Sequence, residues 1–112
     1  PDAAQLSLSV TMVEGTNPDL ANYRLINASV ISMPPLDYGN WLAWRVKAYA
    51  MPSGQTQNLI FGELPGASGS FSNAGFSFIV NYIAGQTWFV QAALQSVNSE
   101  IGIWSAGNEI TL

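Results

Sequence analysis

The 112 residues of the chain suit one compact domain and leave no room for a second independent core. Charged residues are only 9% of it against 48% apolar, so polarity comes from Ser, Thr, Asn, Gln and Gly, while 4 Trp, 4 Tyr and 5 Phe supply the core material that disordered chains lack. Three basic residues against 7 acidic ones, a net charge of −4, argue against nucleic acid and anionic membranes as partners, and the absence of Cys and His removes thiol nucleophiles, disulfides, the usual zinc ligand sets and His-based triads.

The start of the chain, Pro1-Asp2-Ala3-Ala4-Gln5, lacks the basic opening and apolar middle of a signal peptide. No apolar stretch approaches the ~20 residues that a membrane-spanning helix needs. A chain beginning with Pro is either a small gene product trimmed of its Met or a module of a larger protein. The strand-like ending Ile110-Thr111-Leu112 leans to the first.

Alternation with a period of two is the recurring signal. Leu6, Leu8, Val10 and Met12 alternate with Ser and Thr and predict a first strand, closed by turn residues around Asn17-Pro18-Asp19. A second strand runs from Tyr23 to Met33 and stops at Pro34-Pro35. The turn Leu36 to Asn40 leads into a third strand from Trp41 to Met51. It sets Leu42, Trp44, Val46, Ala48 and Ala50 on one face and Ala43, Arg45, Lys47, Tyr49 and Met51 on the other. Pro52-Ser53-Gly54 turns the chain into a shorter fourth strand, Gln57 to Glu63, and a Pro/Gly/Ser loop from Leu64 to Ser70 follows.

Phe76, Phe78, Val80 and Tyr82 alternate with Ser77, Ile79 and Asn81 in a fifth strand. Ala84-Gly85-Gln86 is a turn before a sixth strand, Thr87 to Val97, in which Trp88, Val90, Ala92 and Leu94 share a face. Glu109 to Leu112 is the last strand. Seven short strands without a helical pattern between them predict an all-β, antiparallel β-sandwich, a single domain over residues 1–112.

The order of motifs resembles a fibronectin type III domain, a seven-stranded sandwich of immunoglobulin-like topology. Tyr82 to Val90, followed by Val97-Asn98 and Trp104-Ser105, is similar to the family's run from its fifth strand through the corner to its last strand. Ser29 to Pro35 and then Trp44 to Tyr49 resemble its second strand, Pro-containing loop and third strand. Trp88 stands at the corner tyrosine's place, Tyr82 at that of a leucine, Ala84 at that of a proline, and Met33 near the core Trp of the second strand. There is no Arg-Gly-Asp, so integrin binding is not implied. The resemblance implies that strands three and six are neighbours.

Asp2, Glu14, Asp19, Asp37, Glu63, Glu100 and Glu109 fall mainly at strand ends and loops and read as solvated charges rather than a catalytic pair. Asn17-Pro18-Asp19 and Asp37 to Asn40 offer too few oxygens for calcium, so no metal or cofactor is expected. Asn27-Ala28-Ser29 fits a glycosylation acceptor but sits inside a strand. Trp44, Trp88, Phe76 and Phe78 have core parity, whereas Trp41, which begins a strand after a turn, and Trp104, which precedes the last strand, are candidates to cover an end of the sandwich.

Given the strand neighbours that the resemblance implies, Arg45, Lys47, Tyr49, Phe89 and Val97 form a candidate binding patch on one outer sheet face. A non-enzymatic structural or interaction protein is the leading expectation. More specifically it is a virion accessory component, a capsid decoration or tail protein of a tailed phage, with protein partners in self-assembly or a larger particle. The alternative is an extracellular spacer or carbohydrate-binding module of a bacterial secreted enzyme or adhesin, with carbohydrate as the partner.

Overall fold

The computed structural model describes residues 6–13, 22–32, 43–95, 101, 104–105 and 107–112. Its strands are β1 (Ser7–Val13), β2 (Tyr23–Ser32), β3 (Ala43–Met51), β4 (Thr56–Gly62), β5 (Gly75–Asn81), β6 (Thr87–Gln95) and β7 (Asn108–Thr111). They pair antiparallel in two sheets, β1-β2-β5 and β4-β3-β6-β7. An alternating strand has one apolar face to remove from water, and two such sheets bury theirs against each other. Leu8, Ile26, Phe78 and Val80 of the first sheet share one core with Trp44, Val46, Trp88 and Leu94 of the second, a β-sandwich-like arrangement.

Trp44 lies between Phe71 and Phe76, with ring centroids 5.9 and 5.6 Å away. Its indole N–H donates to the Ser72 carbonyl at 2.8 Å, so the chain leading into β5 is fixed to the middle of β3. Two amide side chains cross between the sheets at their edges. Asn108 donates from β7 to the Leu8 carbonyl of β1 at 2.9 Å, and Gln57 from β4 to the Ile79 carbonyl of β5 at 3.3 Å.

The turn before β6 carries a buried polar relay. Trp88 Nε1 donates to Gln86 Oε1 at 3.1 Å, and Gln86 Nε2 donates to Ser53 Oγ at 2.9 Å. The indole N–H is satisfied by a side chain two residues upstream. Gln86 is 1% exposed, and its backbone N–H and C=O bond Ile83 and Leu112. Gln86→Leu keeps the volume but leaves the Trp88 N–H buried without an acceptor. Urea unfolding is expected to show a loss of about 1–3 kcal/mol; an unchanged midpoint would mean that water reaches the indole.

The expected strands differ from the observed ones at their ends. The fourth strand stops at Gly62, because residues 63–66 turn and Ala67 N–H bonds the Leu64 carbonyl, which leaves Glu63 outside the ladder. Tyr82 lies past the end of β5: the chain turns there, and the Arg24 guanidinium sits 3.8 Å over its ring. Trp41, Leu42, Met33 and Ser96-Val97 lie outside the described residues.

Candidate functional site

With β3 central in the four-stranded sheet, its odd-numbered residues after Ala43 face outward and its even-numbered ones enter the core. The register then lays out the outer face in rows. Ile60, Arg45 and Ala93 share one, Asn58, Lys47 and Gln91 the next, and Thr56, Tyr49, Phe89 and Glu109 the third.

Tyr49 and Phe89 are directly opposite, and their rings stack with centroids 4.9 Å apart and planes 16° from parallel. That separation matches the roughly 4.8 Å between neighbouring strands. The rings therefore stand side by side off the sheet, each covering one face of the other. Tyr49 is nonetheless 46% exposed. Such a pair contributes about 0.5–1.5 kcal/mol beyond area burial.

Lys47 carries its ammonium 4.1 Å over the ring of Trp104. The chain beside Trp104 is fixed by Ser105, which is buried against the free side of β6. Ser105 N–H bonds the Ala92 carbonyl at 2.7 Å, its hydroxyl accepts from Ala92 N–H at 3.0 Å, and its carbonyl accepts from Gln91 Nε2 at 3.2 Å. Trp104, read from the sequence as a cover for a sandwich end, is thereby held on the outer face beside Lys47. The Trp104-Ser105 pair before the last strand was the available signal.

Ala43, Ala93 and Gln95 have outward parity, and an exposed end of the sheet is the simple expectation from alternation. They are buried instead, and at this end Ile101 bridges to Gln95. The outer face is thus closed at one end and open around Tyr49 and Phe89.

Of the five residues expected to form the patch, the fold brings Arg45, Lys47, Tyr49 and Phe89 onto one face, with Tyr49 and Phe89 in contact. Arg45 is half-buried, and among the described residues its guanidinium has no hydrogen-bond or ring partner. Val97 lies outside the described residues. Glu109, next to Phe89 on β7, and Trp104 are the additions that sequence reasoning missed.

The opposite outer face, on β1-β2-β5, has a different character. Ser9, Thr11, Tyr23, Leu25, Asn27, Ser29, Ile31, Ser77, Ile79 and Asn81 face outward, and none carries a charge. Asn27 Nδ2 donates to Ser29 Oγ there at 3.2 Å.

Among the described residues, no group of three or more His, Cys, Asp or Glu is placed to hold a metal ion, and no helix is long and apolar enough to cross a membrane. The turns at Asn17 to Asp19 and Asp37 to Asn40 lie outside the described residues. The geometry defines an all-β protein of two antiparallel sheets with an aromatic and cationic patch on one outer face. No protein-family model, curated protein or solved structure matches the chain.

Proposed function

We propose that this chain is a non-enzymatic interaction domain with a fibronectin type III-like fold, which docks on a protein partner through the open part of its β4-β3-β6-β7 face. The sheet composition supports that reading: with β1, β2 and β5 in one sheet and β3, β6 and β7 in the other, it is compatible with the A-B-E and C-F-G division of an immunoglobulin-like sandwich. The neighbouring third and sixth strands agree with what the sequence resemblance implies.

The stacked Tyr49–Phe89 pair carries the functional reading. An exposed aromatic centre with Arg45, Lys47 and Glu109 around it has the make-up of a protein interface, where aromatics and Arg concentrate. A sugar platform needs ring faces open to solvent, and here each ring covers one face of the other, so the geometry favours a protein contact over carbohydrate.

A chain with 9% charged residues also has little charge to desolvate in close packing, which favours an assembly as the setting. The specific setting proposed is a virion accessory component, a capsid decoration or tail protein of a tailed phage. The test is incorporation into purified particles. The native chain is expected to co-purify at fixed stoichiometry, and Tyr49→Ala with Phe89→Ala to lower incorporation about tenfold or more, the scale of an aromatic interface anchor. A native chain found only free of particles would overturn the reading. A long reading frame with a signal peptide would move it to an extracellular module.

A further inference from the structure

A strand at the edge of a sheet offers a row of unpaired backbone groups to another strand, and proteins block such edges with loops, charges or proline. Three of the four sheet edges here are visibly managed. The free side of β4 is covered by its own following loop, where Ser68 N–H bonds the Ile60 carbonyl at 2.7 Å, Gly62 N–H bonds the Gly69 carbonyl at 2.8 Å, and Phe61 bridges to Gly69. β1 and β7 lie side by side across the opposite opening and are joined by Asn108.

β5 is the exception. Val30 N–H bonds the Ala74 carbonyl and Tyr82 N–H bonds the Asn22 carbonyl, so the even-numbered residues of β5 bond to β2 and the odd-numbered ones present N–H and C=O to the other side. Among the described residues, Ser77 N–H, Ser77 C=O and Ile79 N–H have no partner there, and only the Ile79 carbonyl is met, by the Gln57 side chain at 3.3 Å. The strand, Gly75-Phe76-Ser77-Phe78-Ile79-Val80-Asn81, is rich in β-formers and has no charge, proline or lysine.

We propose that β5 is a pairing edge through which two copies of this chain join, strand to strand and antiparallel, about a two-fold axis at Phe78. In that register Ser77 of one copy lies opposite Ile79 of the other, and each copy gives Ser77 N–H to the other's Ile79 carbonyl and Ile79 N–H to the other's Ser77 carbonyl.

Absence of charge is what selects a second copy as the occupant. A two-fold axis sets a strand against itself, so any charged residue near it meets its own kind. β5 carries none, and neither does β4, the strand joined to it by Gln57, so no charge on these two strands meets its own image; the nearest carboxylate in sequence, Glu63, lies past the end of β4 in the loop beyond it. The two uncharged outer faces become one six-stranded surface that includes Ile79, 56% exposed in the single chain. This contact is separate from the Tyr49–Phe89 face and does not rest on its role.

Sedimentation velocity on the purified chain across a concentration series is the test. The wild-type chain is expected to reach a dimer. Ile79→Lys, on the outer surface and away from the core, sets two lysines diagonally across the axis, their residue positions roughly 7–8 Å apart, and is expected to weaken association about tenfold or more with an unchanged unfolding midpoint. Ser77→Pro removes an N–H that β2 does not use and should act the same way. Gln57→Ala frees the Ile79 carbonyl and is expected to strengthen the dimer. A wild-type chain that stays monomeric at all concentrations overturns the proposal, as does a dimer that survives Ile79→Lys but is lost in Tyr49→Ala, which would move self-association to the other face.

Discussion

Gly75→Ala is expected to destabilise the domain by about 3 kcal/mol, combining backbone strain with a clash that no rotamer relieves. Gly75 opens β5 with φ at 137°, a conformation that L residues rarely adopt. A Cβ there would be driven into the Ala28 carbonyl oxygen and would stand 3.0 Å from the Ala28 carbonyl carbon and 3.2 Å from Ser29 Cα. These are backbone atoms of the central strand β2, so relief means displacing the ladder that pairs Gly75 with Ser29.

The control is Gly54→Ala. Gly54 also has a positive φ, 75°, in the turn joining β3 to β4, but nothing lies within 4 Å of where its Cβ would be. It is expected to cost about 1 kcal/mol, the conformational part alone. Urea unfolding should therefore separate the two variants by a midpoint difference on the order of 1 M. Equal shifts would show that the approach of β5 to β2 adapts to a methyl group, and that Gly75 is needed for its dihedral angle only.

The alternation that predicts the strands also reports which side chains share a face, because a period of two ties parity to side. That is why Trp44, Trp88, Phe76 and Phe78 could be assigned to the core from the chain alone, whereas setting Phe89 beside Arg45, Lys47 and Tyr49 on one outer surface also needed the strand neighbours that the family resemblance implies. What parity lacks is anything about segments that cross a face. Ala93 reads as outward and is buried, and Trp104 gains its position from the bonds Ser105 makes with β6.

Gln86 was hidden for a different reason. A glutamine after Ala84-Gly85 reads as solvated turn chemistry, and its role depends on the nearness of Ser53 and Trp88, one of them 33 residues away in sequence. Edge status was equally illegible. The odd residues of β5 are ordinary polar and apolar strand residues, and only the sheet order leaves their backbone groups facing outward with so few partners. Local pattern thus specifies faces, while edges and crossings belong to topology.

Trp44 ties β3 to the chain entering β5, and its truncation is the second large effect expected. It is fully buried, touches Phe71 and Phe76, and lies on β3 between Ala43 and Arg45. Trp44→Ala removes this packing and leaves a cavity between the sheets, with an expected loss of about 3–5 kcal/mol. Against a typical total of roughly 5–15 kcal/mol, that is a large fraction of the domain's stability. Trp44→Phe retains part of the ring packing and loses the N–H that binds the Ser72 carbonyl, so its expected cost is smaller, about 1–2 kcal/mol. Because Ser72 is exposed, water can replace the lost donor, which places the phenylalanine variant at the lower end of that range. The order Ala well below Phe, read from thermal and urea midpoints, is the expected result. If the phenylalanine variant lost as much as the alanine one, the tie from β3 to the chain entering β5, rather than the filled volume, would be what Trp44 supplies, and the paired edge of β5 would depend on it as well.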